Sequence, residues 1–220
     1  MTELYGVLSF DIRGSRKIKD RMKLQNVIKS LIESLNNNFS DCLASKFSLT
    51  AGDEFQGVLR DFSKIYDVFK AVKRKLDFRF YCGIGIGEIT TEISDKPFEM
   101  DGPAFYRSRD ALNIAKKRNL NVYVITGKQD VDYLLNLILK VIFFIEENRT
   151  HRQSQIVKYF EENPKIKVSE VASNFGVSEQ SIYKTLKKAG FSLVLEMEEL
   201  VKLILSKPYE VELPVSTGGG

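Results

Sequence analysis

The pattern of apolar and polar positions in the first part of the chain alternates between strand and helix. Residues 4–10 form a largely apolar run typical of a buried strand, whereas apolar positions between 24 and 35 recur at spacings of three and four, which predicts an amphipathic helix. Residues 46–50 and 55–59 have strand composition on either side of a Gly-Asp turn. These two segments therefore predict a β-hairpin.

The next predicted elements are a helix and a strand, which complete the order of a common α+β fold. A second helical stripe occupies 65–76, and a strand with alternating glycines follows at 78–86. The order β-α-β-β-α-β predicts an α+β, ferredoxin-like (βαββαβ) domain, in which two helices cover one face of an antiparallel sheet. A helix at 103–117 and a strand at 122–125 would extend the sheet, and the glycines would permit close backbone approach.

The character of the sequence changes after a long helical stretch at 128–149. Pro164 interrupts the next helical pattern, and residues 168–189 have the pattern helix, Gly turn, helix, with Ser169 and Ser178 as expected N-caps. This pattern predicts a small all-α helix-turn-helix domain. The predicted organisation is a sheet domain at 1–128, a connecting helix at 129–148 able to pair two subunits, the helix-turn-helix domain at 149–207 and a loose tail at 208–220.

Two aspartates stand where apolar runs end, Asp11 after the first strand and Asp53 in the hairpin turn. A carboxylate at the edge of a buried strand loses hydration, so it needs a cation, hydrogen-bond donors or solvent to compensate it. The predicted strand order makes the two aspartates neighbours, and oxygen ligands without a His or Cys cluster favour Mg²⁺ or Mn²⁺. The alternative is that Asp11 caps the following helix and that Asp53 and Glu54 only form a hairpin turn.

Composition and charge restrict the partners little. The formal net charge of +4 and the pI of about 8.9 permit contact with polyanions without requiring it. With only Cys42 and Cys82 and no secretory signal, a disulfide framework is not expected and a reducing cytoplasm is the simplest compartment. The longest apolar stretch, at 133–145, is too short to cross a bilayer and predicts a buried or dimer-forming helix.

Several motifs resemble those of known families. Asp11 with the Ile-x-Gly-Ser that follows it, the Gly-Asp-Glu-Phe at 52–55, the glycine strand at 83–88 and the helix after Gly102 resemble class III nucleotidyl cyclases in type and order. The second motif also resembles GGDEF diguanylate cyclases. Together with the C-terminal helix-turn-helix pattern, the combination is most similar to the SatD family. The resemblance implies a nucleotidyl-cyclase-like palm domain over residues 4–126.

The cyclase resemblance also implies site residues. In those cyclases both aspartates bind divalent ions that carry a nucleoside triphosphate, and amides after the first aspartate hold phosphate oxygens. Carried over, the metal ligands are Asp11 and Asp53, which would also be catalytic. The implied phosphate contacts are the backbone amides of Ile12, Arg13, Gly14 and Ser15. The charges of Arg13 and Arg16 would add to them, and Gly52 and Glu54 complete the expected nucleotide-binding residues. Glu54 is equally explained as a surface carboxylate at a strand edge.

The chain also departs from the cyclase pattern. Tyr106 and Asp110 stand where the cyclases have an Asn and an Arg, and the nearby Arg107 and Arg109 are out of register. A phosphate-binding, catalytic role for these arginines and an exposed charged helix face are both consistent with the sequence. The charge run that begins at Lys116 is expected to face water at a helix end. The fold therefore carries over better than the reaction.

The predicted second helix of the C-terminal domain has a polar, basic face that suits duplex DNA, although helix-turn-helix geometry also serves contacts with proteins. The residues expected to contact DNA are Gln180, Ser181, Lys184, Lys187 and Lys188. One hypothesis is a homodimeric DNA-binding regulator whose cyclase-like domain senses a nucleoside triphosphate and a metal. A second is an active metal-dependent nucleotidyl cyclase or nucleotidyltransferase that makes a signalling nucleotide. A third is that the first domain is only a dimerisation scaffold. His151, the single histidine, is expected to be solvated rather than catalytic.

Overall fold

The computed structural model describes residues 3–211, which form a mixed α+β structure with a five-stranded sheet and eight helices. The chain divides into two compact units, one comprising residues up to 137 together with those from 201 onward, and the other comprising residues 138–200. The sequence pattern predicted boundaries after residues 128 and 148. In the structure the division falls inside two long helices, each of which has one end in the first unit and the other end in the second.

The sheet belongs to the first unit and has the strand order β2-β3-β1-β4-β5. Neighbouring strands are antiparallel, except that β4 and β5 are parallel. The predicted hairpin is present, and β1 pairs with both its second strand and β4. The strands are β1 (Leu4–Ile12), β2 (Leu43–Ala51), β3 (Glu54–Leu59), β4 (Phe80–Glu88) and β5 (Val122–Ile125).

Three helices of the first unit follow the predicted periodicity. They are α1 (Arg21–Asn38), α2 (Ile65–Lys75) and α3 (Pro103–Arg118). In α1 the buried positions Leu24, Ile28, Leu31 and Leu35 form the expected stripe. The N-cap of this helix is Asp20, whose side chain accepts a hydrogen bond from the Lys23 amide. The alternative in which Asp11 caps the following helix is therefore wrong.

The glycines of β4 allow α3 to lie directly on the sheet. A Cβ atom at Gly83 would lie 2.3 Å from the backbone nitrogen of Leu112, and one at Gly85 would lie 2.2 Å from that of Ser108. No side chain fits at these distances, so the expectation of close backbone approach is confirmed. This contact fixes the height and rotation of α3 over β1 and β4.

The two faces of β1 differ in polarity. Phe10 lies in the apolar core, where its ring stacks on Phe55 at 4.8 Å between ring centroids and meets Phe80 edge-on at 5.8 Å. The alternate residues Ser9 and Asp11 lie on the opposite face, toward α3. The polar groups of the strand are thus collected under one helix.

The remaining helices are α4 (Gln129–Glu147), α5 (His151–Glu162), α6 (Val168–Phe175), α7 (Glu179–Lys188) and α8 (Phe191–Ser206). Ile156, Val171 and Ile182 form a buried cluster that joins α5, α6 and α7. Gly176 ends α6 in the left-handed conformation with φ of +63°, which is the turn expected between the two predicted helices. Ser178 caps α7 as predicted, but the N-cap of α6 is Lys167 and not Ser169.

Four further expectations concern the cysteines, the membrane, His151 and the C-terminal tail. Cys42 and Cys82 are both free and buried, as expected for small apolar residues. Among residues 3–211, no helix combines the length and apolar character needed to span a bilayer. His151 begins α5 and is exposed to solvent, which agrees with the expectation that it is solvated. The predicted loose tail falls almost wholly outside the described residues.

Candidate nucleotide and metal site

An acidic cluster with one lysine lies at the end of β1. The register of β1 and β3 places Asp11 directly opposite Glu54. The Nζ atom of Lys116, from the last turn of α3, lies 2.5 Å from Oδ2 of Asp11 and 2.9 Å from Oε1 of Glu54. The expectation that Lys116 faces water is therefore wrong, because the helix that rests on the β4 glycines brings its last turn over these carboxylates.

Asp53 lies beside this cluster in the turn of the hairpin. It follows Gly52, whose φ of +64° provides the left-handed residue that the turn requires. The Oδ2 atom of Asp53 is shielded from solvent and has no hydrogen-bond partner among the described residues. The Asp53 charge also acts on Asp11, which places the two predicted aspartates within electrostatic reach of each other. The hairpin-turn alternative for Asp53 is thus correct as local structure, but it leaves this carboxylate oxygen without a partner.

Burial and the neighbouring charges together shift the pKa values of Asp11 and Lys116. Burial is the largest influence on Asp11 and raises the pKa of its carboxyl group, while the Lys116 ammonium opposes this shift and the charges of Glu54 and Asp53 add to it. Burial lowers the pKa of Lys116, but its hydrogen bonds to Asp11 and Glu54 outweigh that effect and the pKa is raised. Lys116 therefore stays charged near neutral pH, and Asp11 protonates more readily than an exposed aspartate.

The donor set fits a metal that shares its coordination with a ligand. Among residues 3–211, no group of three or more His, Cys, Asp or Glu side chains converges on one metal position. Mg²⁺ is commonly held by one or two carboxylates, with water and substrate phosphates completing the octahedron. The unpartnered, shielded oxygen of Asp53 and its electrostatic coupling to Asp11 suit this arrangement and do not suit an all-protein cage.

The turn after Asp11 contains residues expected to bind phosphate. Gly14 takes the left-handed conformation with φ of +64°, and Ser15 follows it as a buried residue at the start of a short 3-10 helix. Ile12 is buried as the last residue of β1. The Arg13 side chain does not point to a free ligand position, since its Nε donates to the carbonyl oxygen of Phe80 at 3.1 Å. Its backbone amide donates to the carbonyl oxygen of Arg79. The turn thus offers backbone rather than the Arg13 side chain to a ligand.

The two arginines of α3 have different surroundings. Arg107 donates from Nη1 to the carbonyl oxygens of Ile86 at 2.5 Å and Thr126 at 3.0 Å, so it joins the ends of β4 and β5. Arg109 is exposed and lines a pocket on the same side of the sheet as Lys116. The structure therefore places Arg109 in the lining of the pocket that also contains Glu54 and Lys116, and Arg107 at strand ends.

This pocket has a volume of about 700 Å³ and extends from the acidic cluster along α3. Its floor is a polar chain that sequence reasoning did not identify. Gln56 donates from Nε2 to Ser9 Oγ at 2.8 Å, and Ser9 Oγ lies 2.8 Å from Ser108 Oγ. Polar residues at inward-facing positions of two adjacent strands were the available signal. The lining also includes Thr50, Glu54, Phe98, Asp101, Tyr106 and Asn113.

The predicted DNA-contacting residues lie on α7 in the second unit. Four of them, Gln180, Lys184, Lys187 and Lys188, are exposed, whereas Ser181 is half-buried and donates its amide to the Ser178 cap. Tyr183 is also on the surface of this helix, with 58% of its area exposed. Sequence reasoning missed Tyr183, although an aromatic residue close to exposed polar positions was a visible signal.

Comparison with solved structures gives two distant likenesses. The catalytic core of a rhodopsin-guanylyl cyclase with converted specificity, in complex with ATPαS, is 15% identical over 51% of this chain and 72% of that chain, with a TM-score of 0.36. A regulator of polyketide synthase expression from Bifidobacterium adolescentis is 11% identical over 93% of this chain and 82% of that chain, with a TM-score of 0.28. Neither likeness is close enough to assign an activity.

Comparison with curated proteins gives no match. A family model does match, and it covers residues 5–205, which is nearly the whole chain. The description of that model is the SatD family, which agrees with the motif order and with the resemblance drawn from the sequence. The chain therefore belongs to the SatD family.

Proposed function

We propose that this protein is a DNA-binding regulator whose sheet unit senses a nucleoside triphosphate together with Mg²⁺ or Mn²⁺. The observation that carries the proposal is the Oδ2 atom of Asp53, which is shielded and has no partner among the described residues, while the Asp53 charge acts on Asp11. A dehydrated carboxylate oxygen is costly unless a cation compensates it. A divalent ion shared with phosphate oxygens would supply that compensation.

Each residue of the cluster has a part in binding. Asp11 and Asp53 would hold the metal, which when bound neutralises charge on the triphosphate. Lys116 neutralises Asp11 and Glu54, and its ammonium group would also donate to a phosphate oxygen. The turn at Gly14 and Ser15 would offer backbone amides to the phosphates.

A sensing role is favoured over turnover by the surroundings of α3. Arg107 is occupied by the carbonyl oxygens of Ile86 and Thr126, and Tyr106 stands where the cyclases have an Asn. The second candidate is an active metal-dependent nucleotidyl cyclase or nucleotidyltransferase, which is favoured by the exposure of Arg109 in the pocket beside Lys116. Incubation with the four nucleoside triphosphates and Mn²⁺ separates the two, since only an enzyme releases pyrophosphate.

We also propose that the sheet unit has a ferredoxin-like palm fold and that α6 and α7 form a helix-turn-helix. The order of β2, β3, β1 and β4 in the sheet, with α1 and α2 between them along the chain, supports a ferredoxin-like, cyclase-type palm. The pair α6 and α7, joined through the left-handed Gly176, supports a helix-turn-helix.

Duplex DNA is the proposed partner of α7. Lys184, Lys187 and Lys188 are exposed on a helix that carries one acidic residue, so this surface suits a phosphate backbone. The variant Lys184→Ala/Lys187→Ala should lower the salt slope of duplex binding by about 2, one for each phosphate that the variant no longer neutralises. Lys158→Ala, on α5, is the control and should leave the slope unchanged. An unchanged slope in the double variant would remove these lysines from the interface.

We also propose that two chains pair through α4. This helix leaves Tyr133, Leu137 and Phe144 exposed, and an exposed row of large apolar residues is typical of an interaction surface. Pairing would present two α7 helices to one duplex and raise the affinity. Sedimentation of Tyr133→Ser/Leu137→Ser should give monomers, and an unchanged mass would contradict pairing through this helix.

Calorimetry tests nucleotide binding directly. ATP and GTP, each with Mg²⁺, should bind the wild-type protein, and omission of the metal or the change Asp53→Asn should abolish most of the affinity. Asp41→Asn is the matched control, because Asp41 is an exposed aspartate outside the cluster. Undiminished binding by Asp53→Asn would refute the site.

A further inference from the structure

The pocket beside the acidic cluster has two chemically different ends. Glu54 and Lys116 form one end, and the aromatic residues Phe98 and Tyr106 line the other. Tyr106 and Lys116 are about 15 Å apart along the axis of α3. A volume of about 700 Å³ is sufficient for a small-molecule ligand. The pocket therefore suits an elongated ligand with an anionic end and a flat, unsaturated end.

The aromatic end presents two rings that are more than half exposed, Phe98 at 59% and Tyr106 at 56%. The hydroxyl group of Tyr106 donates to Oδ2 of Asp101 at 2.7 Å, which fixes the position of its ring. The ammonium group of Lys96 lies 5.8 Å from the centroid of Phe98. Rings held at a pocket in this way are suitable surfaces for stacking a nucleobase.

The floor of the pocket orients a carboxamide. Ser108 is fully buried and donates to the carbonyl oxygen of Gly83 at 3.0 Å, so the hydrogen between the two serines must come from Ser9. Ser9 then has only acceptor capacity left, and it accepts from Nε2 of Gln56. Gln56 thus keeps its Oε1 acceptor and one further N–H for a ligand.

We propose that this pocket takes the base of a purine nucleoside triphosphate, stacked on Phe98 and Tyr106 and hydrogen-bonded at its edge by Gln56. The inference rests on the proposed triphosphate site and adds the residues that read the base. A carboxamide matches the adjacent donor and acceptor on a purine edge. A purine also gives the larger stacking face.

Binding of ATP, GTP, CTP, UTP and inorganic tripolyphosphate, each with Mg²⁺, tests the inference. The wild-type protein should bind both purine nucleotides more tightly than the pyrimidine nucleotides and tripolyphosphate. Gln56→Leu should weaken purine nucleotide binding about three- to tenfold, and Phe98→Ala about tenfold. Neither change should alter tripolyphosphate binding. Gln25→Leu, an exposed glutamine on α1, is the matched control.

The outcomes distinguish this inference from the proposed function. If the wild-type protein binds neither nucleotides nor tripolyphosphate, the triphosphate site itself is refuted. If it binds tripolyphosphate as tightly as ATP, the base site alone is overturned. An unchanged purine preference in both Gln56→Leu and Phe98→Ala would overturn it equally. Phe98 is largely exposed, so its variant remains informative even where Gln56→Leu does not fold.

Discussion

Replacement of Lys116 by Met tests the ion pairs that join α3 to the sheet. Met retains most of the apolar stem of the lysine and removes the charge that lies between Asp11 and Glu54. Only 19% of the Asp11 side chain is exposed, so the variant leaves a largely dehydrated carboxylate without its partner. An exposed pair contributes at most about 1 kcal/mol, and removal of one partner of a buried pair costs about 3–5 kcal/mol. The intermediate burial here gives an expected destabilisation of about 2 kcal/mol.

The assay is urea denaturation followed by circular dichroism at neutral pH in EDTA. Lys117→Met is the matched control, because Lys117 is the exposed neighbour on the same helix, and it should change stability by less than about 0.5 kcal/mol. Added Mn²⁺ should stabilise Lys116→Met more than the wild-type protein, since the metal then replaces the missing cation. Equal stability of the two lysine variants would refute the ion pairs in solution.

Three other perturbations test the packing of α3, the ionisation of Asp11 and the surface of α7. Gly85→Ala places a Cβ atom 2.2 Å from the backbone of Ser108 and should destabilise the protein by about 1–3 kcal/mol in thermal unfolding. Gly87→Ala, where the nearest backbone atom is 3.0 Å away, should destabilise the protein less. A larger loss of stability in Gly87→Ala than in Gly85→Ala would contradict the packing of α3. Burial raises the pKa of Asp11, and only the ionised carboxylate binds metal. Mn²⁺ affinity should therefore fall on acidification at a higher pH than it would at a site built on an exposed aspartate. A midpoint at the ordinary carboxyl pKa would exclude Asp11 as a ligand. Tyr183→Ala should weaken duplex binding in fluorescence anisotropy without changing the salt slope, because an uncharged side chain releases no counterions, and a changed slope would contradict that reasoning.

Most of the first unit could be predicted from the sequence because its signals are local. The helical stripe from Leu24 to Leu35, the hairpin around Gly52 and the strand at 122–125 all follow from periodicity and turn chemistry. The place of Ser169 inside the first turn of α6, rather than at its cap, was harder to predict. Several residue types serve as N-caps, and the chain begins this helix directly after Lys167.

The site was predictable only in part. Asp11 and Asp53 are marked by their positions at the ends of apolar runs, and the strand order brings them together. Lys116 could not be placed from sequence, because its direction depends on how far α3 sinks onto the glycines of β4. The polar positions of Gln56 and Ser9 on adjacent strands are visible in the sequence, but their place beneath α3 depends on the same packing.

In the proposed function, Asp11 and Asp53 together hold a divalent cation that also binds a triphosphate. The most direct measurement is the relaxation of water protons in solutions of Mn²⁺ and ATP titrated with protein, which is enhanced when the metal is immobilised in a ternary complex. The wild-type protein should give a saturable enhancement, and Asp11→Asn and Asp53→Asn should each give almost none at the same concentrations. Equal enhancement by the wild-type protein and by Asp53→Asn would contradict the claim.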